Sequence, residues 1–422
     1  MRQIRLLLSF SLLFVLLNHT ATAAEISVET SIEAGSITIN EVSYSRLALT
    51  PTLAIDEHWL FALMFNLDFD LHFGFRKGQW DTWQSWINKI KLIRYGRPGD
   101  DFYLRIGTFP DISIGYGAIM RNFANNVFEP ATIIQGGFFN WNLGQFTVEY
   151  FTENILDADI HITRFSTTVF KWDNFFMKEL ILGGTIATDV DDQDPYKSGQ
   201  DQLIYTDNKN SEKQLMIYGL DMEIPFDIWL VRWTLYASFN QIQNKGNGFS
   251  LGMSGQALGL LNWKLEYKRF SKEYLSPYFD KFYLTQRKER YSSLTNQTTD
   301  NNGILISIWR SFNISETDDL SFMLTYQRNQ GEHPKIDISV KIKPPLLLKK
   351  FEIAFDYSRN DVSRFSELFK VDELKTMIKL NFKFILNESS SLELSYNKSF
   401  LKDDDGNPQG QESTTLQGTM KL

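Results

Sequence analysis

Asp68, Asp70 and His72 are proton-carrying side chains set two residues apart. In an extended segment alternate residues share one face, and adjacent members then lie ~7 Å apart along the strand. A carboxylate and an imidazole so placed could serve as acid and base toward a water. Together with Asn66 they equally make the polar wall of a water-filled barrel, and all four are taken as lumen-lining candidates. Asp189, Asp191, Asp192 and Asp194 crowd a second stretch, with Asp157 and Asp159 in another. Clustered carboxylates can ligate Ca²⁺ through oxygen. The spacing lacks the central glycine and closing glutamate of a calcium loop, so a solvated loop is the default. Arg94, Arg97, Arg105 and Arg121 fall around a glycine-rich stretch from Gly96 to Gly117. Fixed charge at a constriction sets ion preference in a channel, which makes these arginines the constriction candidates.

Signals for catalysis are thin. The chain has no cysteine, so thiolate nucleophiles, thiolate metal sites and disulfides are excluded. Of its five histidines, His58, His161 and His333 have no local serine or asparagine context of the kind a nucleophilic site needs. Gly136-Gly137 and Gly183-Gly184 are too short for phosphate loops, and no GK[ST] follows a glycine run. They read as strand kinks. The expectation is a protein that is not an enzyme and takes no cofactor.

The elements that carry these residues announce themselves by a period of two. From Phe61 to Phe75 every odd position is large and apolar, while most even positions are polar or small. A helix would scatter such residues around its circumference, whereas a strand collects them on one face. The pattern recurs at 320–327, 336–343, 351–358, 377–384, 392–397 and 415–422, with turn-rich tracts between. Trp80, Trp83, Trp86 and Ile87 instead recur at helical spacing, which predicts a short helix or turn through residue 88. At ~20–25 residues per strand and connection, the chain reads as a meander of long antiparallel strands. That gives an all-β fold, a closed antiparallel transmembrane β-barrel of about 18 strands, in the range of about 16–20. Closure is implied because lipid cannot satisfy open sheet edges. Trp59, Trp172, Trp229, Trp233, Trp263, Tyr267, Trp309 and Tyr357 fall where interfacial aromatic girdles are expected.

Arg2 and Arg5, an apolar run from Leu6 to Leu17 and Ala21-Thr22-Ala23 make residues 1–23 a secretory signal peptide. Residues 24–422 are the barrel, with 24–40 a candidate N-terminal segment or lumen plug. The formal net charge of −8 argues against nucleic-acid binding. A hydropathy of −0.26 is too polar for a helical membrane bundle.

Signal peptide, alternation and terminal strand together resemble a bacterial outer-membrane β-barrel of porin type. Barrels of this kind commonly end in an aromatic residue, whereas this chain ends in Leu422. The resemblance implies the outer membrane of a diderm bacterium, with outer-membrane lipid, the barrel-assembly machinery and small solutes as partners. The oligomeric state stays open. The implied role is passive diffusion of small hydrophilic solutes. Two alternatives remain, a transporter of hydrophobic molecules and a structural or adhesive barrel with a blocked lumen.

Overall fold

The computed structural model describes residues 26–421, apart from 40, 73, 77–78, 130–131, 173–176, 191–196, 199–202, 205–213, 229–230, 258–260, 314–317, 330–333, 343–349, 361, 363, 365, 368–374 and 403–407. The leader, Trp229, Asp191, Asp192 and Asp194 thus lie outside the described residues.

The strands run β1 (Ile26–Ile39), β2 (Val42–Ile55), β3 (Trp59–Leu63), β4 (Phe65–Phe69), β5 (Ile90–Tyr95), β6 (Phe102–Gly107), β7 (Gly136–Asn142) and β8 (Phe146–Thr152). They continue with β9 (Ile160–Lys171), β10 (Glu179–Asp189), β11 (Lys197–Ser198), β12 (Leu203–Ile204), β13 (Leu215–Ile228), β14 (Val231–Ile242), β15 (Asn247–Ala257) and β16 (Leu261–Phe270). The last seven are β17 (Asn301–Asn313), β18 (Asp318–Asn329), β19 (Lys335–Ile342), β20 (Phe351–Arg359), β21 (Thr376–Ile385), β22 (Ser390–Lys402) and β23 (Pro408–Lys421). Among the described residues two helices join them, α1 (Trp83–Ile87) and α2 (Arg287–Asn296).

All but the β11–β12 hairpin form one 21-member antiparallel sheet. Since β3 and β4 continue one register against β2, the 21 members make one fewer wall strand, 20 in all, at the top of the expected range. The sheet closes where β1 meets β23, from Ser31 opposite Lys421 to Ile39 opposite Ser413. This pairing corrects the plug expectation for residues 24–40. Their described part is β1, whose backbone is shared between β2 and β23, so it cannot leave the wall without opening the sheet.

The two faces of the wall are inside out relative to a water-soluble protein. Leu220, Phe239, Phe249, Leu251, Leu265, Ile306, Leu324, Leu394 and Leu416 are exposed and neighbour one another across the ladders. Ser238, Asn240, Glu266, Lys268, Thr325 and Asp337, on the alternate positions, are buried. Apolar groups outside and charged groups inside are what a hydrocarbon surround selects. Aromatic pairs crowd the end where β3 begins and β5 ends, including Trp59 with Tyr95 at 4.8 Å, Tyr95 with Phe102 at 5.6 Å and Phe226 with Trp233 at 4.2 Å.

The alternation from Phe61 to Phe75 does not make one uninterrupted strand. Beyond Phe69 the chain turns, because the Asp70 carboxylate accepts the backbone N–H groups of His72 and Gly74, both at 2.8 Å. Phe75 returns beside Phe69. On the β5 side the ladder stops at Leu63 opposite Ile90, which leaves Phe65–Phe69 without a strand partner there among the described residues. Side chains cover that edge. The Trp80 indole N–H donates to the Asn66 carbonyl at 3.0 Å, and the Gln79 side-chain oxygen accepts from the Asp68 N–H at 3.2 Å. The expected helix follows as α1, with Thr82 and Ser85 forming a reciprocal cap and Trp83 and Trp86 exposed.

Candidate pore constriction

Two long connections fold into the barrel instead of standing clear of it. Residues 108–135 join β6 to β7, and residues 271–300 join β16 to β17. They meet backbone to backbone, with Arg121 N–H donating to the Phe279 carbonyl and Tyr278 N–H donating to Ile119, each at 3.0 Å. The Ser276 hydroxyl adds a bond to the Ala118 carbonyl at 2.9 Å. Phe123, Phe279, Phe282, Tyr278 and Tyr283 pack between them in a fully buried cluster. The apolar core of the molecule is therefore this septum together with the wall residues it packs on, among them Phe151, Ile160, Ile162, Ile217, Ile242 and Phe270.

Charge fastens the septum to the wall. Arg121 reaches Glu266 on β16 at 2.9 Å, and that carboxylate also meets Lys268 at 3.1 Å and the Tyr236 hydroxyl at 2.8 Å. Arg287 on α2 holds Asp189 at the end of β10 at 2.9 Å and Asp159 at 3.0 Å. Asp280 forms an ion pair with Arg290 at 2.5 Å and accepts from Lys335 of β19 at 3.0 Å, and against the effect of burial the two cations hold its carboxyl down at about 2. Tyr116 donates to Glu223 of β13 and stacks on Tyr236 at 3.9 Å, and burial pushes its phenol above the ordinary range. On the far side Lys379 of β21 donates to Asn126 at 2.9 Å and Ser399 of β22 donates to the Val127 carbonyl at 3.3 Å. Gly117 makes the tight corner possible. Its φ is +76°, and an added Cβ would sit 2.7 Å from the Arg121 guanidinium nitrogen.

The anticipated residues are distributed as follows. Asn66 and Asp68 lie on the inner face of β4, and Asp68 is gripped by Arg46 at 2.6 Å, Arg76 at 3.1 Å and Gln79 at 2.6 Å. Asp70 and His72 do not share that face, because both belong to the turn that ends the strand, with His72 exposed. Asp189 is a corrected calcium candidate, since the Arg287 guanidinium occupies its carboxylate. Among the described residues no acidic or histidine group of three is close enough for a metal ion.

The four arginines do not converge. Arg94 and Arg105 stand directly opposite each other in the β5–β6 ladder. The Nε atoms of both are buried without a hydrogen-bond partner among the described residues. Arg105 also lies 5.0 Å over the Phe109 ring at the start of the inward connection. Arg97 is a correction, since it sits in the exposed β5–β6 turn facing Glu57 at 3.7 Å. Arg121 is part of the septum itself. Glu266, Arg164 and Arg287 went unanticipated. Glu266 had a signal, because Lys264, Glu266 and Lys268 alternate with Trp263, Leu265 and Tyr267.

Beside the septum lies a cavity of about 480 Å³ against β18–β22, and a second of about 220 Å³ lies near Arg46 and Asn66. Glu129 borders both. Burial pushes its carboxyl up, with Lys379 pulling the other way.

Solved structures similar to this chain include OccK5 (OpdH) of Pseudomonas aeruginosa, at 9% identity, with 94% of this chain and 98% of that one covered and a TM-score of 0.36. Another is Pseudomonas aeruginosa OpdK with vanillate, at 6% identity over 94% and 98% of the chains, TM-score 0.37. A Rhodopseudomonas blastica porin triple mutant is similar at 8% identity over 94% and 100%, TM-score 0.28. No family model matches the chain, and no curated protein matches it. The barrel is established by its own strand pairing and closure.

Proposed function

We propose that the chain is an outer-membrane channel of porin type, exported by a cleaved leader of residues 1–23, which passes small hydrophilic solutes by diffusion. The observation that carries this reading is the coupling of an apolar exterior with a charged interior whose free space is narrowed by two wall-bonded inward segments. Such a lumen holds water beside polar walls, and passage is decided by width and fixed charge at the narrowing. The cavity walls carry carboxylates, ammonium groups, amides and hydroxyls, a lining that suits hydrated solutes better than the hydrophobic cargo of the alternative reading. The lumen-lining role falls to Asn66 and Asp68 and the constriction role to Arg94, Arg105 and the septum.

Single-channel recording of the purified protein in planar bilayers tests the proposal. Stepwise ohmic conductance is the expected result. A silent bilayer, from protein whose unheated gel mobility shows it folded, would favour the structural barrel with a blocked lumen.

A further inference from the structure

The cavity of about 480 Å³ has a composition that points to a particular solute. Asp111, Glu129, Asp337 and Asp356 line it against Lys281 and Lys379. One of the two ammonium groups is already bound, because Lys379 donates to the side chain and the carbonyl of Asn126 at 2.9 and 3.2 Å. Asp337 on β19 and Ser358 on β20 are directly opposite neighbours in their ladder. They are only 6% and 0% exposed, yet Asp337 Oδ1 and Ser358 Oγ have no hydrogen-bond partner among the described residues. Buried polar atoms are ordinarily paired. A carboxylate can only accept, so the partner it lacks is a donor, and a charged donor makes the stronger bond.

Water reaches Asp111, which projects from the inward segment into the same space. Burial within the barrel, together with the nearby charges of Asp337 and Asp356, raises its carboxyl, and Lys281 opposes them. The acids are spread too widely to close around a metal ion. The donor must therefore bridge separated carboxylates, as the extended N–H array of an organic cation does. The volume falls in the range of roughly 300–1,000 Å³ usual for small-molecule sites.

We propose that this cavity is a binding station for a small organic cation of amino-acid size carrying a primary ammonium or guanidinium group, held by Asp337 and Ser358 and faced by Asp111 and Asp356. The station deepens the channel reading and rests on it, by naming the class of solute that pauses beside the septum.

Agmatine is the probe, with succinate and glucose as controls at matched ionic strength. Two readouts are needed, interruption of the open-channel current in planar bilayers and equilibrium dialysis of labelled agmatine against folded protein in detergent micelles. Agmatine is expected to bind and to interrupt the current where succinate and glucose do neither. Asp337→Asn is expected to weaken agmatine binding at least tenfold, and Asp111→Asn by a smaller factor. Asp111 makes no ion pair among the described residues, so that variant keeps the test open if the first fails to fold. Agmatine binding no tighter than succinate, or unchanged in a folded variant of either kind, overturns the station. Open-channel conductance without amine preference overturns the station alone. Amine binding in a protein that never conducts upholds the station and overturns the channel.

Discussion

At the scale of single residues, burial of charge is what separates anchors from channel lining. Arg121, Arg164 and Arg287 each meet a carboxylate within 3 Å; the charge of Arg121 and Arg287 is spent on holding the septum, and that of Arg164 on joining the wall strands β9 and β13. Arg94 and Arg105 instead pair with each other across a ladder, which places two like charges side by side on the inner face. In the proposed channel water and mobile anions compensate them, so their field acts on permeating ions. Replacing both with glutamine should move the reversal potential in a salt gradient toward greater cation preference. Arg97→Gln should leave it unchanged, because that side chain is exposed in a turn outside the lumen. A shift of equal size in Arg97→Gln would return that residue to the pathway. The four arginines looked alike in sequence because composition and proximity carry no record of strand parity. Asp68 was legible for the opposite reason, lying in a run where every second residue faces the same way. Asp70 and His72 continue that run on paper, but two backbone N–H groups bound to one carboxylate stop the strand there.

Between elements, the junction of the 153–159 connection with α2 carries a second titrating group. Glu153 accepts the N–H groups of Asp159 at 3.0 Å and Ile160 at 2.8 Å. Burial lifts its carboxyl to about 8, with Arg287 drawing it down and the charges of Asp159 and Asp189 pushing it higher. An acid whose folded value lies above its unfolded one binds more protons when folded. Its contribution is therefore complete below about 4.5 and is lost as pH rises through about 8. The temperature at which the folded band disappears from unheated gels should fall by several degrees across that window. Glu153→Gln should flatten the slope, and an unaltered slope would assign it to another group. None of this junction could be read in advance, since Glu153, Asp189 and Arg287 are far apart along the chain and no periodicity links them. The septum was hidden likewise. Tyr274, Tyr278, Phe279, Phe282 and Tyr283 do recur at helical spacing, yet they lie in loop and turn, so the period by itself carried no sign that the segment folds inward. α1 was visible because tryptophans repeat at helical spacing along it.

For the whole molecule, the wall was the legible part because two solvents write it. In the proposed channel, hydrocarbon outside and water inside impose alternation on every strand that touches both, and β18, β19, β20, β22 and β23 appear where the alternating runs stood. β5 to β8 are only 6 or 7 residues long and left too little pattern to read. The undercount of strands follows from those short members. Closure depends on a different feature, the seam between β1 and β23. There Gly35 lies opposite Gln417, and a Cβ built on it would come within 2.6 Å of the Gln417 Cα and also strike the Leu416 backbone. These atoms are all β23 backbone, which leaves nothing flexible to yield, so any larger residue must push the first and last strands apart. A barrel with a parted seam exposes two rows of unsatisfied N–H and C=O groups to lipid, each costing roughly several kcal/mol. Gly35→Val is therefore expected to abolish the heat-modifiable folded band altogether. Glycine to valine at Gly144, in a turn where an added Cβ meets nothing within 4 Å but φ is +80°, should reduce folding yield only modestly. Equal folding of the Gly35 variant and the parent would mean that the seam tolerates a gap and that closure is not what holds the sheet in the membrane.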